Sequence, residues 1–276
     1  MLGLGAWAGR GVATGTRAAS STTVDTADVA RFARLAADWH SERGPFRALH
    51  SMNERRVPWI VREMAATTSE QTKEGWTFFN GSGGARPAKV LEVGCGGGLL
   101  SVALARSGLD VRGIDVCPQS IGAAETVKQW PTISDAVKSR LQFECISAEA
   151  LAEKEPGAFD AIVASEVVEH VASVPTLLRA LSSLARPGAR LFMTTMNRTA
   201  ASRVGAVWMA EEVLGIVPEG MHDWAKFITP EELAAAGTEA NWETRAIHGL
   251  AYDPFGNNWN WTPYTGINYA LLAVKK

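Results

Sequence analysis

Two short stretches hold residues whose types and spacing can do chemistry. In the run Lys89-Val90-Leu91-Glu92-Val93-Gly94-Cys95-Gly96-Gly97-Gly98-Leu99-Leu100, Val90, Leu91 and Val93 read as a buried strand. The glycines end that strand, and Leu99 to Arg106 has helical spacing of apolar residues. A strand, a glycine turn and a helix bring backbone N–H groups and a helix N-terminus against a ligand. Glycine is required because a Cβ would block that approach and because some of these positions need φ > 0. The glycines fall at Gly94, Gly96 and Gly98, with Leu99 where a dinucleotide fingerprint has its last glycine. Glu92 places a carboxylate at the strand end, which suits a cationic ligand better than a pyrophosphate. Asp115 closes the next strand, where a carboxylate accepts from both hydroxyls of a ribose. That position fits a nicotinamide cofactor as well as any other nucleoside.

The second stretch is Ser165-Glu166-Val167-Val168-Glu169-His170, after the fourth strand. On a helical turn Glu166, Glu169 and His170 fall at i, i+3 and i+4, on one face. Two carboxylates and an imidazole so placed bind a divalent cation. Oxygen ligands favour Mg²⁺, and the imidazole tilts the choice toward Zn²⁺. Alternatively His170 is a general base, since its ordinary pKa lies near operating pH. Both roles stay open at this point. Ser147-Ala148-Glu149 follows the third strand and is a weaker candidate for adenine contacts. His222 and Tyr252 lie after later strands and are candidate substrate contacts.

Strands are expected near Lys89–Val93, Asp110–Ile114, Arg140–Ile146, Phe159–Ala164 and Arg190–Thr195, with helices near Leu99–Arg106, Gln119–Lys128 and Val174–Ala185. This alternation predicts an α/β fold with a doubly wound parallel sheet and ligands at the carboxyl ends of the strands. Trp242–Leu250 and Asn268–Val274 add two more strands. Ahead of the core, Thr26–His40 and Asn53–Met64 read as helices that cap the site. Polar, glycine-rich Thr67–Pro87 reads as a loop. Ala200–Val217, with Trp208, reads as an insertion with a large apolar face. Residues 1–23 hold Arg10 and Arg17, many small residues and no acid, the composition of a transit peptide.

The chain has 276 residues and a formal net charge of -2, so no basic excess points to nucleic acid. Its three cysteines, Cys95, Cys117 and Cys145, lack a C-x-x-C pattern and read as reduced thiols. No apolar run is long enough to span a bilayer.

The glycine stretch resembles motif I of the class I methyltransferases that bind S-adenosylmethionine (E/D-x-G-x-G-x-G). Around it, in order, stand Phe32 with Trp39, Leu49-His50 through Asn53 and Arg56, Asp115, Glu166 to Val171, Thr195-Met-Asn197-Arg198, Pro218 to Trp224, Phe227, and Gly249-Leu-Ala-Tyr252-Asp-Pro254. Together, from about Asp25 to the C-terminus, they resemble the ubiquinone biosynthesis O-methyltransferase family, mitochondrial type.

The resemblance implies a Rossmann-like class I methyltransferase fold with a seven-stranded sheet, its last strand antiparallel, over residues 88–276. An insertion lies at 199–225, cap helices at 24–66 and a loop at 67–87. It implies S-adenosylmethionine contacts at Arg56, Gly94, Asp115 and Ser165, beside Glu92, Gly96 and Gly98 of the motif. It also implies a divalent cation at Glu166, Glu169 and His170. Ser165 stands where bacterial relatives often have methionine, and Glu92 where aspartate is common.

The implied reaction is O-methylation of catechol-type hydroxyls of polyprenyl-dihydroxybenzoate and demethylubiquinol. The implied place is the matrix side of the mitochondrial inner membrane, bound peripherally among other ubiquinone-biosynthesis proteins. On this reading Ala200–Val217 rests on the membrane surface; otherwise it packs on the core or a dimer face. The alternatives are an O-methyltransferase of another phenol, an NAD(P) oxidoreductase, or a non-catalytic subunit of that assembly.

Overall fold

The computed structural model describes residues 22–65, 69–72, 75–79, 85–203 and 224–276. Nearly all of the transit-peptide stretch, most of the apolar insertion with Trp208, and His222 lie outside these residues. Helix α1 (Thr26–Leu35) starts at Asp25, whose side chain accepts from the Ala27 and Asp28 N–H groups. It continues as a 3₁₀ turn, Ala36–Asp38, and the chain reverses into α2 (Arg47–Ala65). Three strands follow where a loop is expected. β1 (Ser69–Thr72), β2 (Gly75–Phe79) and β3 (Ala85–Pro87) pair as an antiparallel sheet of their own. The cue was Trp76, Thr77, Phe78 and Phe79, a run of the aromatic and β-branched residues that favour strands.

The core strands are β4 (Lys89–Val93), β5 (Asp110–Asp115), β6 (Leu141–Cys145), β7 (Phe159–Ser165), β8 (Ala185–Met196), β9 (Trp242–Asp253), β10 (Asn258–Thr262) and β11 (Asn268–Lys275). They form one sheet in the order β10-β9-β11-β8-β7-β4-β5-β6. The strands from β8 through β6 run parallel, whereas β11, β9 and β10 pair antiparallel. The sheet therefore has eight strands among the described residues, not seven. The extra one is β10, the return arm of a hairpin with β9. Its Asn-Trp-Asn-Trp alternation is the period-2 signature of a strand with one buried face.

Helices α3 (Leu99–Arg106), α4 (Pro118–Val127), α5 (Asp135–Lys138), α6 (Ala148–Lys154), α7 (Val174–Leu184) and α8 (Pro230–Glu239) join the strands. Each sheet face has its own core. Leu91, Ile162, Met193, Tyr269 and Leu271 pack with α7 and α8 on one side. Val90, Val163, Phe192, Ala270 and Leu272 pack with α2 and α3 on the other. A third cluster, Leu35, Ala36, Trp39 and Phe46, joins the cap to Leu99 and Ala123. Cys95, Cys117 and Cys145 are free thiols, as expected.

Candidate active site

The connections leave β4 toward β5 and β6 on one side, and run from β7 to β8 on the other. The strand order reverses between β4 and β7, and that point is where an open α/β sheet leaves a crevice. The two chemically interesting stretches flank it, since Glu92 of β4 sits opposite Val163 of β7. Gly94, Gly96 and Gly98 have φ of 68°, 53° and 78°, the left-handed region expected for glycine. What closes on them is protein. A Cβ on Gly96 would lie 2.4 Å from the Trp39 ring, and one on Gly94 would lie 2.6 Å from Val167 Cγ2. The Trp39 indole donates to Ser120 Oγ at 3.2 Å and stacks on Phe46 at 3.7 Å between centroids. His40 Nε2 donates to the Gly97 carbonyl at 2.7 Å. The cap is thus seated directly on the glycine turn.

Asp115 ends β5 as expected, but its first partners are backbone. Oδ2 accepts from Gly96 N–H at 2.9 Å and Oδ1 from Cys117 N–H at 2.8 Å. Each carboxylate oxygen keeps a second lone pair for a ribose hydroxyl. Burial pushes this carboxyl up. Glu92 is turned into the protein, where the Ser101 hydroxyl donates to it. Burial raises its pKa from an ordinary 4.5 to about 7. It is therefore a support beneath the turn and not a carboxylate presented to a ligand.

Arg56 on α2 is only 4% exposed. Its guanidinium donates to Asn53 Oδ1 at 2.7 Å, Ser165 Oγ at 2.6 Å and the Leu49 carbonyl at 3.5 Å, all neutral acceptors. Burial lowers its pKa against the charges of Glu92 and Glu166. A buried guanidinium whose direct partners are neutral suits a ligand carboxylate.

The turn after β7 departs from the expected helical face. Glu166 has φ 57°, a left-handed conformation that costs a non-glycine residue about 1–2 kcal/mol. Only Val168–His170 forms a 3₁₀ turn. Thr194 donates to Glu166 Oε1 at 2.7 Å, and Thr195 donates to Glu169 Oε2 at 2.9 Å. Adjacent strand residues face opposite sides of a sheet. Thr194 follows Phe192 on the α2 side, and Thr195 follows Met193 on the α7 side. The two carboxylates are therefore anchored to opposite faces of β8.

On the α2 side a chain of hydrogen bonds runs from Arg56 through Ser165 and Thr194 to Glu166, with the two hydroxyls 2.5 Å apart. On the other side His170 Nδ1 lies 3.6 Å from Asp28 Oδ2. Among the described residues, no three His, Cys, Asp or Glu side chains gather into a metal-ligand set. The expected cation site at Glu166, Glu169 and His170 is thus not seen as an assembled ligand set.

Burial raises Glu166 to about 7 with help from the Glu169 charge, and burial likewise raises Glu169. Glu169 Oε1 is buried without a hydrogen-bond partner. Burial alone would lower His170, but Asp28, Glu169 and Glu166 outweigh it and hold the imidazole above its ordinary 6.5. His170 is accordingly a stronger base than a free imidazole.

The weaker candidates are placed elsewhere. Glu149 accepts from the Thr23 N–H and hydroxyl at 2.5 and 2.9 Å, tying down the start of the cap. Tyr252 donates to Asn257 Oδ1 at 2.9 Å within the β9–β10 hairpin. Sequence reasoning missed the roles of Asp28, Thr194, Thr195 and Lys226. The one available signal was Thr194-Thr195 interrupting the apolar run Leu191–Met196 of β8.

Residues 64–247 match the family model of a methyltransferase domain. The human ubiquinone biosynthesis O-methyltransferase, mitochondrial, is 38% identical over 256 residues, covering 93% of this chain. The chain spans 66% of that relative's length. The ubiquinone biosynthesis O-methyltransferase of Ralstonia nicotianae is 34% identical, over 91% of this chain and 95% of its own length. Among solved structures, the magnesium protoporphyrin IX methyltransferase of Synechocystis with bound SAH aligns with a TM-score of 0.55 at 17% identity, over 83% of this chain and 84% of its own. A possible histamine N-methyltransferase of Thermotoga maritima aligns at 0.58 and 14%, over 90% and 99%. At these identities the two structures speak for the class I methyltransferase fold alone.

Proposed function

The chain belongs to the ubiquinone biosynthesis O-methyltransferase family, and from that premise we propose that it transfers a methyl group from S-adenosylmethionine to a catechol-type hydroxyl of a polyprenyl phenol. Polyprenyl-dihydroxybenzoate and demethylubiquinol are the proposed substrates. The observation that supports this most is what meets at the β4/β7 switch point: a glycine turn in left-handed conformation, a buried Arg56 with neutral direct partners, and the turn bearing His170.

S-adenosylmethionine, when bound, supplies a sulfonium methyl; its C–S bond breaks as the phenolic oxygen bonds to carbon and the phenol gives up a proton. Arg56, with Ser165 beside it, is assigned the cofactor carboxylate. Asp115 is assigned the ribose hydroxyls, and the backbone at Gly94, Gly96 and Gly98 lines the path between them. The cap seated on Gly96 and Gly97 shields the site from water, which strengthens every electrostatic contact inside it. Alignment lowers the entropic part of the barrier. His170, raised by its carboxylate neighbours, takes the phenol proton.

A divalent cation at Glu166, Glu169 and His170 is what the family resemblance implies; the threonine bonds occupy one oxygen of each carboxylate, Glu166 Oε1 and Glu169 Oε2, and no step of the reaction is routed through a cation. Residence at the matrix face of the mitochondrial inner membrane fits a bilayer-dissolved substrate and the mitochondrial naming of the human relative. No helix among the described residues is long and apolar enough to cross a membrane.

The test is methyl transfer from S-adenosylmethionine to a short-tailed demethylubiquinol analogue, with and without EDTA. Transfer that survives EDTA and is lost in His170→Ala supports the base reading. Transfer that EDTA stops and Mg²⁺ or Zn²⁺ restores rejects it in favour of the cation. No transfer, with cofactor binding intact, rejects the substrate class.

A further inference from the structure

We infer that Asn197 determines substrate specificity, its side-chain oxygen accepting a hydrogen bond from the hydroxyl that neighbours the one methylated. The inference rests on the reading of the acceptor as a catechol-type phenol and names the group that recognises its second hydroxyl. Asn197 directly follows Met196, the last residue of β8, and so stands at the carboxyl end of the sheet, where ligands of such folds lie. Its neighbours at that edge are the turn after β7, whose Glu166 N–H donates to the Thr194 carbonyl at 2.8 Å, and the start of β11, where Asn268 pairs with Met196.

Three of the four polar groups of Asn197 are committed. Its N–H donates to the Ile267 carbonyl at 2.7 Å, its own carbonyl accepts from Thr199 N–H at 3.1 Å, and Nδ2 donates to the Thr265 carbonyl at 2.9 Å. The last bond fixes the amide, because flipping it would set two carbonyl oxygens against each other. The residue is only 6% exposed, and Oδ1 is buried with no partner among the described residues. Buried polar groups are nearly always paired, and an unpaired one costs the fold its desolvation. A ligand that brings an O–H or N–H donor to Oδ1 completes the pairing.

Position selects that ligand. Asp115, assigned the ribose hydroxyls, ends β5, three strands from β8 in the order β8-β7-β4-β5, or about 14 Å at ordinary strand spacing. Oδ1 is therefore on the acceptor side of the switch point. Chemistry then selects the hydroxyl. The reacting hydroxyl loses its proton as its oxygen bonds to the methyl carbon, and a neutral amide oxygen cannot take that proton. The neighbouring hydroxyl keeps its proton throughout, so a neutral acceptor suits it. A monophenol brings no donor to that place and forfeits the contact.

The experiment measures transfer from S-adenosylmethionine to a short-tailed dihydroxybenzoate and to the matching monohydroxybenzoate that lacks the neighbouring hydroxyl. The proteins are wild type, Asn197→Ala and Thr199→Val, each with its S-adenosylhomocysteine affinity and melting temperature. Thr199→Val removes another bond of the same connection, Thr199 Oγ1 to the Gly266 carbonyl, and leaves Asn197 in place. The readout is the ratio of kcat/KM for the two compounds, in which their intrinsic difference in reactivity cancels between variants. Where monohydroxy transfer is too slow to read, the two inhibition constants give the same ratio. In Asn197→Ala the ratio should fall roughly 10- to 100-fold, with S-adenosylhomocysteine affinity within about twofold. Thr199→Val should lower the melting temperature and leave the ratio unchanged. An unchanged ratio in Asn197→Ala overturns the inference while the methyltransferase reading stands. So does an equal fall in Thr199→Val, which makes the effect structural, or a loss of S-adenosylhomocysteine affinity above about tenfold, which gives Oδ1 to the cofactor. Wild-type transfer to neither compound rejects the phenol reading and the inference with it. Should Asn197→Ala not fold, Asn197→Ser is judged by the same ratio.

Discussion

Gly96→Ala should destabilise the protein by about 3–5 kcal/mol, and most of that cost should vanish when Trp39 is removed. Gly96 has φ 53°, where alanine costs about 1 kcal/mol. The new Cβ would lie 2.4 Å from Trp39 Cη2 and Cζ2, against ordinary contact starting at 3.4 Å, so the indole must retreat by about 1 Å. It has little room, because Phe46 lies parallel at 3.7 Å between centroids and the indole N–H is held by Ser120 at 3.2 Å. Overpacking of this kind costs about 1–3 kcal/mol and a broken hydrogen bond adds about 1 kcal/mol.

In a Trp39→Ala background only the backbone cost remains, so the coupling between the two sites should be about 2–4 kcal/mol. The assay is urea unfolding of the four proteins without cofactor, read at constant m-value. Gly122→Ala is the control, since nothing lies within 4 Å of a Cβ there and it sits inside helix α4. It should stabilise by about 0.5–1 kcal/mol. Equal destabilisation by Gly96→Ala in both backgrounds would refute the seating of the cap on the glycine turn.

Three further outcomes follow from the same geometry. Glu92 is raised from 4.5 to about 7, so the folded state holds a proton that the unfolded state has released, and stability should fall as pH rises from about 4.5 to 7. The full effect is on the order of 3 kcal/mol, and Glu92→Gln should flatten that part of a melting-temperature profile. Arg56→Gln should weaken S-adenosylhomocysteine binding by at least about tenfold in titration calorimetry, since a charge-assisted contact to a carboxylate contributes about 1.5–3 kcal/mol. Trp242 is fully buried and its indole donates to the Leu178 carbonyl at 3.1 Å, so Trp242→Ala should cost about 3–5 kcal/mol in chemical denaturation without changing the ratio of kcat to KM in the surviving folded fraction.

The sequence by itself determined what is local. Strand β4, the glycine turn and helix α3 stand where the apolar spacing put them, because periodicity and left-handed glycines act over a few neighbouring residues. The α/β class and the placement of Asp115 and of the His170 turn at strand ends follow from the same alternation. What only tertiary structure decided is which way the site residues point. Glu166, Glu169 and His170 read as one helical face, but Glu166 takes a left-handed φ, only Val168–His170 forms a 3₁₀ turn, and Thr194 and Thr195, on a strand some thirty residues away, hold the two carboxylates separately. Likewise Asp28 meets His170, and Trp39 meets Gly96, only once the cap has docked. Such contacts join residues distant in sequence, so no local spacing encodes them; they exist because burial of the cap's apolar face brings both chain segments to one edge of the sheet.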